Sequence, residues 1–342
     1  MRGAVMHAPG DVRVEERDAP EIIEPTDAII RVSAACVCGS DLWPYRGIGV
    51  EGAGWPMVMG HEYAGIVEEV GAGVHSLEPG QFVVGSFWAS DNTCPVCRAG
   101  YQSACVDRVP MGALGAQADL LRVPLADGTL VATPDVPSDD LVPSLVAASD
   151  VLGTGWFGAV AAEAGPGKTV AVVGDGAVGL LAVLAAKQLG AERIIAMSRH
   201  ESRQRLAREF GATDVVETRG DEGVAAIEEL TDGLGAHSVV EAVGTQESMN
   251  QALHAARPGG HVGFVGVAHG VAIDGMDLFW SLAHVHGGPA PVRQFLPELI
   301  DLIWTRQIDP GKVFDLQLPL EKAADGYRAM DQREAIKTLL TP

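Results

Sequence analysis

A chain of 342 residues with 47% hydrophobic side chains is long enough for two domains that each bury a core of their own. Its formal net charge of -21 repels phosphate backbones, which argues against nucleic acid as a partner, and no apolar run reaches the length of a membrane span. The opening residues MRGAVMHAPGDVRVEE lack the pattern of a secretory leader, and the cysteines, three of them within Cys94 to Cys105, are spaced for metal chemistry rather than for disulfides, so a reducing, cytoplasmic setting is expected.

From Met1 to about Leu130 the chain reads as short strands broken by Gly and Pro, such as AIIRVSAACV and HEYAGIVEEVGAGV, which predicts an antiparallel, partly barrel-like domain. Cys38 lies in CVCGSD beside Ser40 and Asp41, and His61 lies in GHEYAG beside Glu62. Leu141 to Ala164 turns helical and carries Asp150 in SDVLGTGWFG. Thiolate, imidazole and carboxylate are all zinc ligands, and three protein ligands with an open fourth position describe a catalytic site.

Thr169 to Arg199 is the most specific stretch. Thr169 to Val173 reads as a buried strand, Gly174, Gly176 and Gly179 follow at G-x-G-x-x-G spacing, Ala177 to Leu189 is a helix stopped by Gly190, and Arg193 to Met197 is a second strand. In that context the glycines permit a tight turn and a close approach of backbone to a pyrophosphate, with the helix N-terminus supplying N–H donors. Beyond it, SVVEAVG, a helix around Ser248 to Ala256 and GGHVGFVGV continue one doubly wound parallel sheet. After Gly287 a helix near Phe295 to Thr305, a strand near Val313 to Leu318 and a last helix ending in AIKTLL are expected to return to the first domain.

GHE after CGSD, an acid followed by x-x-x-T-G, and GDGAVG after a strand together resemble the medium-chain zinc-dependent alcohol dehydrogenase family, bacterial secondary-alcohol members of which carry an acid at the third ligand position. The resemblance spans nearly the whole chain. It implies an α/β fold, with a Rossmann-type doubly wound parallel sheet plus a partly barrel-like, mainly antiparallel β catalytic domain of GroES-like kind. The boundaries that follow are 1–153 for the catalytic domain, 154–287 for the NAD(P)-binding domain and 288–342 for the returning part. It further implies that Cys38, His61 and Asp150 hold a catalytic zinc, that Ser40 bonds the substrate hydroxyl, and that Asp41 and Glu62 orient His61 and tune the metal. A second, structural zinc would occupy lobe 91–105, where Cys94, Cys97 and Cys105 keep the family's spacing and Asp91 stands in the place of the first cysteine. Cys36 has no place in that pattern.

The resemblance also implies that Thr154, Val178 and Val243 border the nicotinamide, that Val265 and Val267 line its far side, and that Lys337 reaches the pyrophosphate. At the end of the second strand the chain reads Ser198, Arg199, His200, with Arg203 one turn on; no acid stands there to repel a 2′-phosphate, so NADP is expected over NAD. The function expected is hydride transfer between NADP(H) and an alcohol, ketone or aldehyde in a cytoplasmic homodimer or homotetramer. Trp43 replaces the histidine that continues the proton relay in many relatives and, with Phe87 and Trp88, is placed as a wall of an apolar substrate pocket. Rival readings are a formaldehyde-dehydrogenase-like or polyol dehydrogenase using NAD, a zinc-free quinone or enoyl reductase, and a cofactor-binding protein without turnover.

Overall fold

The strand Ala28–Val37, rich in β-branched and small residues and buried along most of its length, is the spine around which one half of the protein forms. The structure, a computed structural model, describes residues 1–52 and 54–342. It divides into two units, one made of Met1–Gly153 with Pro291–Pro342, the other of Thr154–Ala290.

In the first unit, Ala28–Val37 pairs antiparallel with Tyr63–Val70, with Leu120–Val123 and with Thr338–Thr341. These belong to a seven-stranded sheet among the described residues, completed by Phe82–Gly85, Leu130–Ala132 and Leu316–Pro319. The sheet closes over Ile30, Val32, Tyr63, Val67, Val83 and Leu121, all nearly or fully buried. Register shifts at Ile29/Ile30 and Val32/Ala34 bend the central pair, as a partly barrel-like sheet requires.

Three expectations for this unit need correction. AIKTLL does not end a helix: the last helix is Ala323–Asp331, Arg333 turns the chain at φ 59°, and Thr338–Thr341 is a strand. The reason is tertiary, since the open edge of Ala28–Val37 accepts Thr338 to Leu340 as a ladder partner and buries Leu339 and Leu340. The strand expected from Val313 starts at Leu316, after a turn of 3-10 helix at Pro310–Val313. The helix expected over Leu141 to Ala164 is two helices, Val142–Ala148 and Val151–Ala161, broken at Ser149 and Asp150.

The second unit is a six-stranded parallel sheet in the order Asp214–Val216, Arg193–Met197, Thr169–Val173, Ala236–Glu241, Ala256–Phe264, His284–Gly287. Strand order reverses between Thr169–Val173 and Ala236–Glu241, the point at which open parallel sheets bind ligands. Thr169–Val173 and Arg193–Met197 are each buried beyond their first residue, as strands covered on both faces must be. Gly174 takes φ 122°, and a Cβ on Gly179 would stand 2.0 Å from the Gly174 carbonyl oxygen, so the helix Ala177–Gln188 can sit this close to its strand only with glycine there. Among the described residues no single helix is long and apolar enough to cross a membrane. Gly179→Ala is expected to destabilise the protein by about 1–3 kcal/mol through this overpacking; an unchanged urea midpoint would contradict the close helix–strand approach.

Candidate metal and dinucleotide sites

Sheet register assembles the first cluster. Cys38 follows the last residue of Ala28–Val37 and opens the 3-10 turn Gly39–Asp41, where the Asp41 Oδ2 accepts a hydrogen bond from the Cys38 amide at 3.0 Å. His61 and Glu62 lead into Tyr63–Val70, the antiparallel neighbour in which Tyr63 pairs with Ala35, so the chain ends carrying Cys38 and His61 lie side by side. Asp150 reaches them from the break between the two helices, a corner tied down by the Tyr63 amide donating to the Ser149 Oγ at 3.2 Å.

The donors of Cys38, His61, Glu62 and Asp150 lie within 4.8 Å of one another. The Asp150 Oδ2 is 3.7 Å from the Cys38 Sγ and 3.2 Å from the His61 Nε2, and the Ser40 Oγ is 3.4 Å from the same nitrogen. Tetrahedral zinc with bonds of about 2.0–2.3 Å sets its ligands roughly 3.3–3.8 Å apart, so the donor set fits that ion. Burial by itself lowers the pKa of His61, but the charges of Asp41 and Cys38 and the hydrogen bond to Asp150 outweigh it and raise the pKa well above its ordinary value. Burial, then Glu62 and Asp150, pushes the Cys38 thiol up. Both shifts mark a buried shell of anionic donors short of positive charge, which a divalent cation supplies while keeping the thiolate ionised.

Behind this cluster, Asp41 Oδ1 lies 3.4 Å from the His61 Nδ1 and fixes the ring from its far side. Gln117 donates to Asp41 Oδ2 at 3.3 Å and accepts from the Tyr327 hydroxyl at 3.1 Å. Glu62 does not share the orienting task expected of it: its Oε2 accepts from Lys337 Nζ at 2.6 Å and from the Cys36 thiol at 3.0 Å, while its Oε1 is buried with no partner among the described residues. The expectation that Lys337 reaches a pyrophosphate is corrected on the same evidence. Its ammonium is fully buried, held by Glu62 and by the Val37 carbonyl at 3.1 Å, because Thr338–Thr341 joins the sheet and carries Lys337 inward.

The second cluster lies in the lobe. Asp91, Cys94, Cys97 and Cys105 offer donors within 4.8 Å of one another. Asp91 Oδ1 accepts from the amides of Thr93 and Cys94, at 2.8 and 3.0 Å, and the amide of Cys97 points at the Cys94 Sγ, at 3.4 Å. Burial raises the pKa of the Asp91 carboxyl, but the amides of Cys94 and Thr93 more than offset this and leave it at about 2. One carboxylate and three thiols around a shared centre suit a closed, tetrahedral zinc.

In the second unit the residues expected at the dinucleotide gather at the carboxyl ends of the strands. Gly174, Gly176, Val178 and Gly179 follow Thr169–Val173; Val243 follows Ala236–Glu241, its amide donating to Glu241 Oε1 at 2.9 Å; Val265 and Val267 follow Ala256–Phe264. Thr154 lies on the helix Val151–Ala161. Ser198, Arg199 and Arg203 follow Arg193–Met197, but an acid does stand there: the Ser198 hydroxyl donates to Asp175 Oδ2 at 2.8 Å, and Arg203 Nη1 lies 3.1 Å from the Asp175 carbonyl oxygen and 3.4 Å from Oδ1.

Comparison with known proteins agrees with this architecture. Residues 24–135 match the model of the alcohol dehydrogenase GroES-like domain and residues 177–304 that of zinc-binding dehydrogenases. The zinc-type alcohol dehydrogenase B of Aspergillus flavus is 35% identical over 99% of this chain and 81% of its own length. The chain belongs to the medium-chain zinc-dependent alcohol dehydrogenase family. By that membership it is an NAD(P)-dependent oxidoreductase. An alcohol dehydrogenase from Thermus sp. ATN1 superposes with a TM-score of 0.91 at 35% identity, covering 100% of this chain and 99% of that one. An NADP-dependent isopropanol dehydrogenase of Entamoeba histolytica is 32% identical over 98% of this chain and 93% of its own length.

Within this alcohol dehydrogenase, sequence reasoning missed Asp175, Gln117 and the use of Cys36. Asp175 occupies a variable place in the glycine fingerprint, and Gln117 meets Asp41 only through the fold, so no local pattern marks either; the alternation of Cys36 and Cys38 was the one visible signal. Phe87 packs edge-on to His61 with centroids 6.2 Å apart, whereas the Trp88 ring carries the Arg108 guanidinium at 5.6 Å. Two predictions follow from the clusters. Metal analysis of the purified alcohol dehydrogenase is expected to give two zinc ions per chain, falling to one in Cys105→Ser; one zinc in the unmodified protein would contradict the lobe as a filled site. Lys337→Met leaves the Glu62 carboxylate buried and uncompensated and is expected to cost about 3–5 kcal/mol in a chemical melt.

Proposed function

We propose that this protein transfers hydride between a nicotinamide dinucleotide and a medium-sized apolar alcohol or the matching ketone or aldehyde, with Cys38, His61 and Asp150 as the ligands of a catalytic zinc. The observation that carries the reading is the meeting of thiol, imidazole and carboxylate at zinc-like separations, with the Ser40 hydroxyl on the same imidazole nitrogen. When bound, zinc supplies Lewis-acid polarisation of the substrate oxygen. Ser40 would hold the substrate hydroxyl by hydrogen bond and pass its proton outward, Asp41 keeps His61 in one ring orientation, and a nicotinamide, when bound, would supply the hydride acceptor or donor for the carbon that bears that hydroxyl. Trp43 stands where a histidine continues the relay in many relatives, so the relay beyond Ser40 does not run through a side chain at that position. Trp43 and Phe87 supply apolar walls against the substrate.

The finer choice of NADP(H) requires Ser198, Arg199 and Arg203 to meet a 2′-phosphate. Asp175 engages both Ser198 and Arg203, so the choice between the two dinucleotides turns on Asp175. A homodimer or homotetramer in the cytoplasm completes the reading.

A panel of primary and secondary alcohols, aldehydes and polyols, run with both dinucleotides, tests it. Turnover of apolar alcohols, abolished by chelation and restored by zinc, is expected; activity that survives complete chelation would favour the zinc-free reductase reading, and a strict polyol preference would replace the apolar substrate class. Ser40→Ala is expected to lower kcat/KM by about 10²–10⁴.

A further inference from the structure

The strand register of the second unit brings together two places far apart in the chain. Val173 pairs with Met197, so the turn that follows the first strand and the residues that follow the second emerge side by side, and Asp175 comes against Ser198. The Asp175 side chain is 10% exposed and that of Arg203 12%, and both oxygens of the carboxylate are engaged, Oδ2 by the Ser198 hydroxyl and Oδ1 by Arg203.

We propose that Asp175 is the residue that determines dinucleotide specificity in this enzyme, and that it selects NAD(H) over NADP(H). The inference rests on the reading that the second unit binds a dinucleotide. An acid at the end of the second strand ordinarily grips the 2′-hydroxyl of the adenosine ribose. Here the strand end has no acid of its own, and the fingerprint turn of the preceding strand delivers one to the same place. A carboxylate accepts a hydrogen bond from a 2′-hydroxyl but repels a 2′-phosphate, and it also holds the two donors a phosphate needs: the Ser198 proton points at Oδ2, and the Arg203 charge is already paired. Arg199 provides the opposing attraction, but it is exposed, and an exposed charge is screened by solvent and salt much more strongly than the nearly buried Asp175 carboxylate. The buried acid therefore wins over the surface arginine.

Binding of NADH and NADPH to the purified, zinc-loaded protein, followed by titration calorimetry without substrate, tests this independently of turnover. The unmodified protein is expected to bind NADH roughly tenfold or more tighter than NADPH. Asp175→Asn, which keeps the shape and a hydrogen-bonding partner for Ser198, and Asp175→Ser, which frees Ser198 and Arg203, are each expected to move the ratio toward NADPH by about tenfold, with Asp175→Ser moving it further. Equal or tighter binding of NADPH by the unmodified protein overturns the inference, as does a ratio unchanged in both variants or a matched loss of both affinities, which is the mark of a merely structural role. Failure to bind either dinucleotide overturns the dinucleotide reading itself, an outcome distinct from a wrong preference.

Discussion

The antiparallel register between Ala28–Val37 and Tyr63–Val70 is the constraint on which the first unit depends. It sets the ends of two strands next to each other, and the residues just past and just before those ends are Cys38 and His61. A slip of one residue would turn every side chain of a strand to the opposite face, so the buried interior that rejects such a slip also holds Cys38 and His61 in place. Asp150 is added by a separate device, the Ser149–Tyr63 hydrogen bond that fastens a helix corner to the same strand. A site built on strand ends and tied at a corner rests on rigid elements of the fold.

Around the donors the protein manages charge with care. Glu62 and Lys337 are both buried and meet at 2.6 Å, an arrangement that adds little net stability over apolar packing but is costly to break on one side. One carboxylate oxygen of Glu62 is thereby paired by a residue that arrives from the far end of the chain, while the other is buried without a hydrogen-bond partner among the described residues. Asp41 acts differently, on the imidazole alone, with Gln117 and Tyr327 behind it. Two acids adjacent in space to the same histidine thus have separate tasks.

The nucleotide-binding half applies the same economy of placement to a different end. Parallel strands in the order seen here open a crevice where strand order reverses, and every loop that leaves the carboxyl edge there carries residues expected at a dinucleotide. Glu241 holds one of these loops by accepting from the amides of Val243 and Gly244 and from the Ser248 hydroxyl, which fixes the backbone at Val243.

What the amino-acid order determined alone was whatever is local: the strand–turn–helix around Gly174 to Gly179, the spacing of Cys94, Cys97 and Cys105, the alternation that marks the antiparallel half, and the family pattern from GHE to GDGAVG. These follow from periodicity and from steric rules that act over a few residues, such as the absence of room for a Cβ at Gly179. Tertiary structure alone decided the rest. Thr338–Thr341 is a strand because a distant strand offered an edge, although the same residues continue a helical pattern in the chain. Lys337 points inward for that reason, and Asp175 meets Ser198 because parallel pairing aligns two strand ends that no short-range pattern relates. Partners that lie far apart in sequence leave no mark on either local pattern, since the energy that joins them exists only once the sheet has formed.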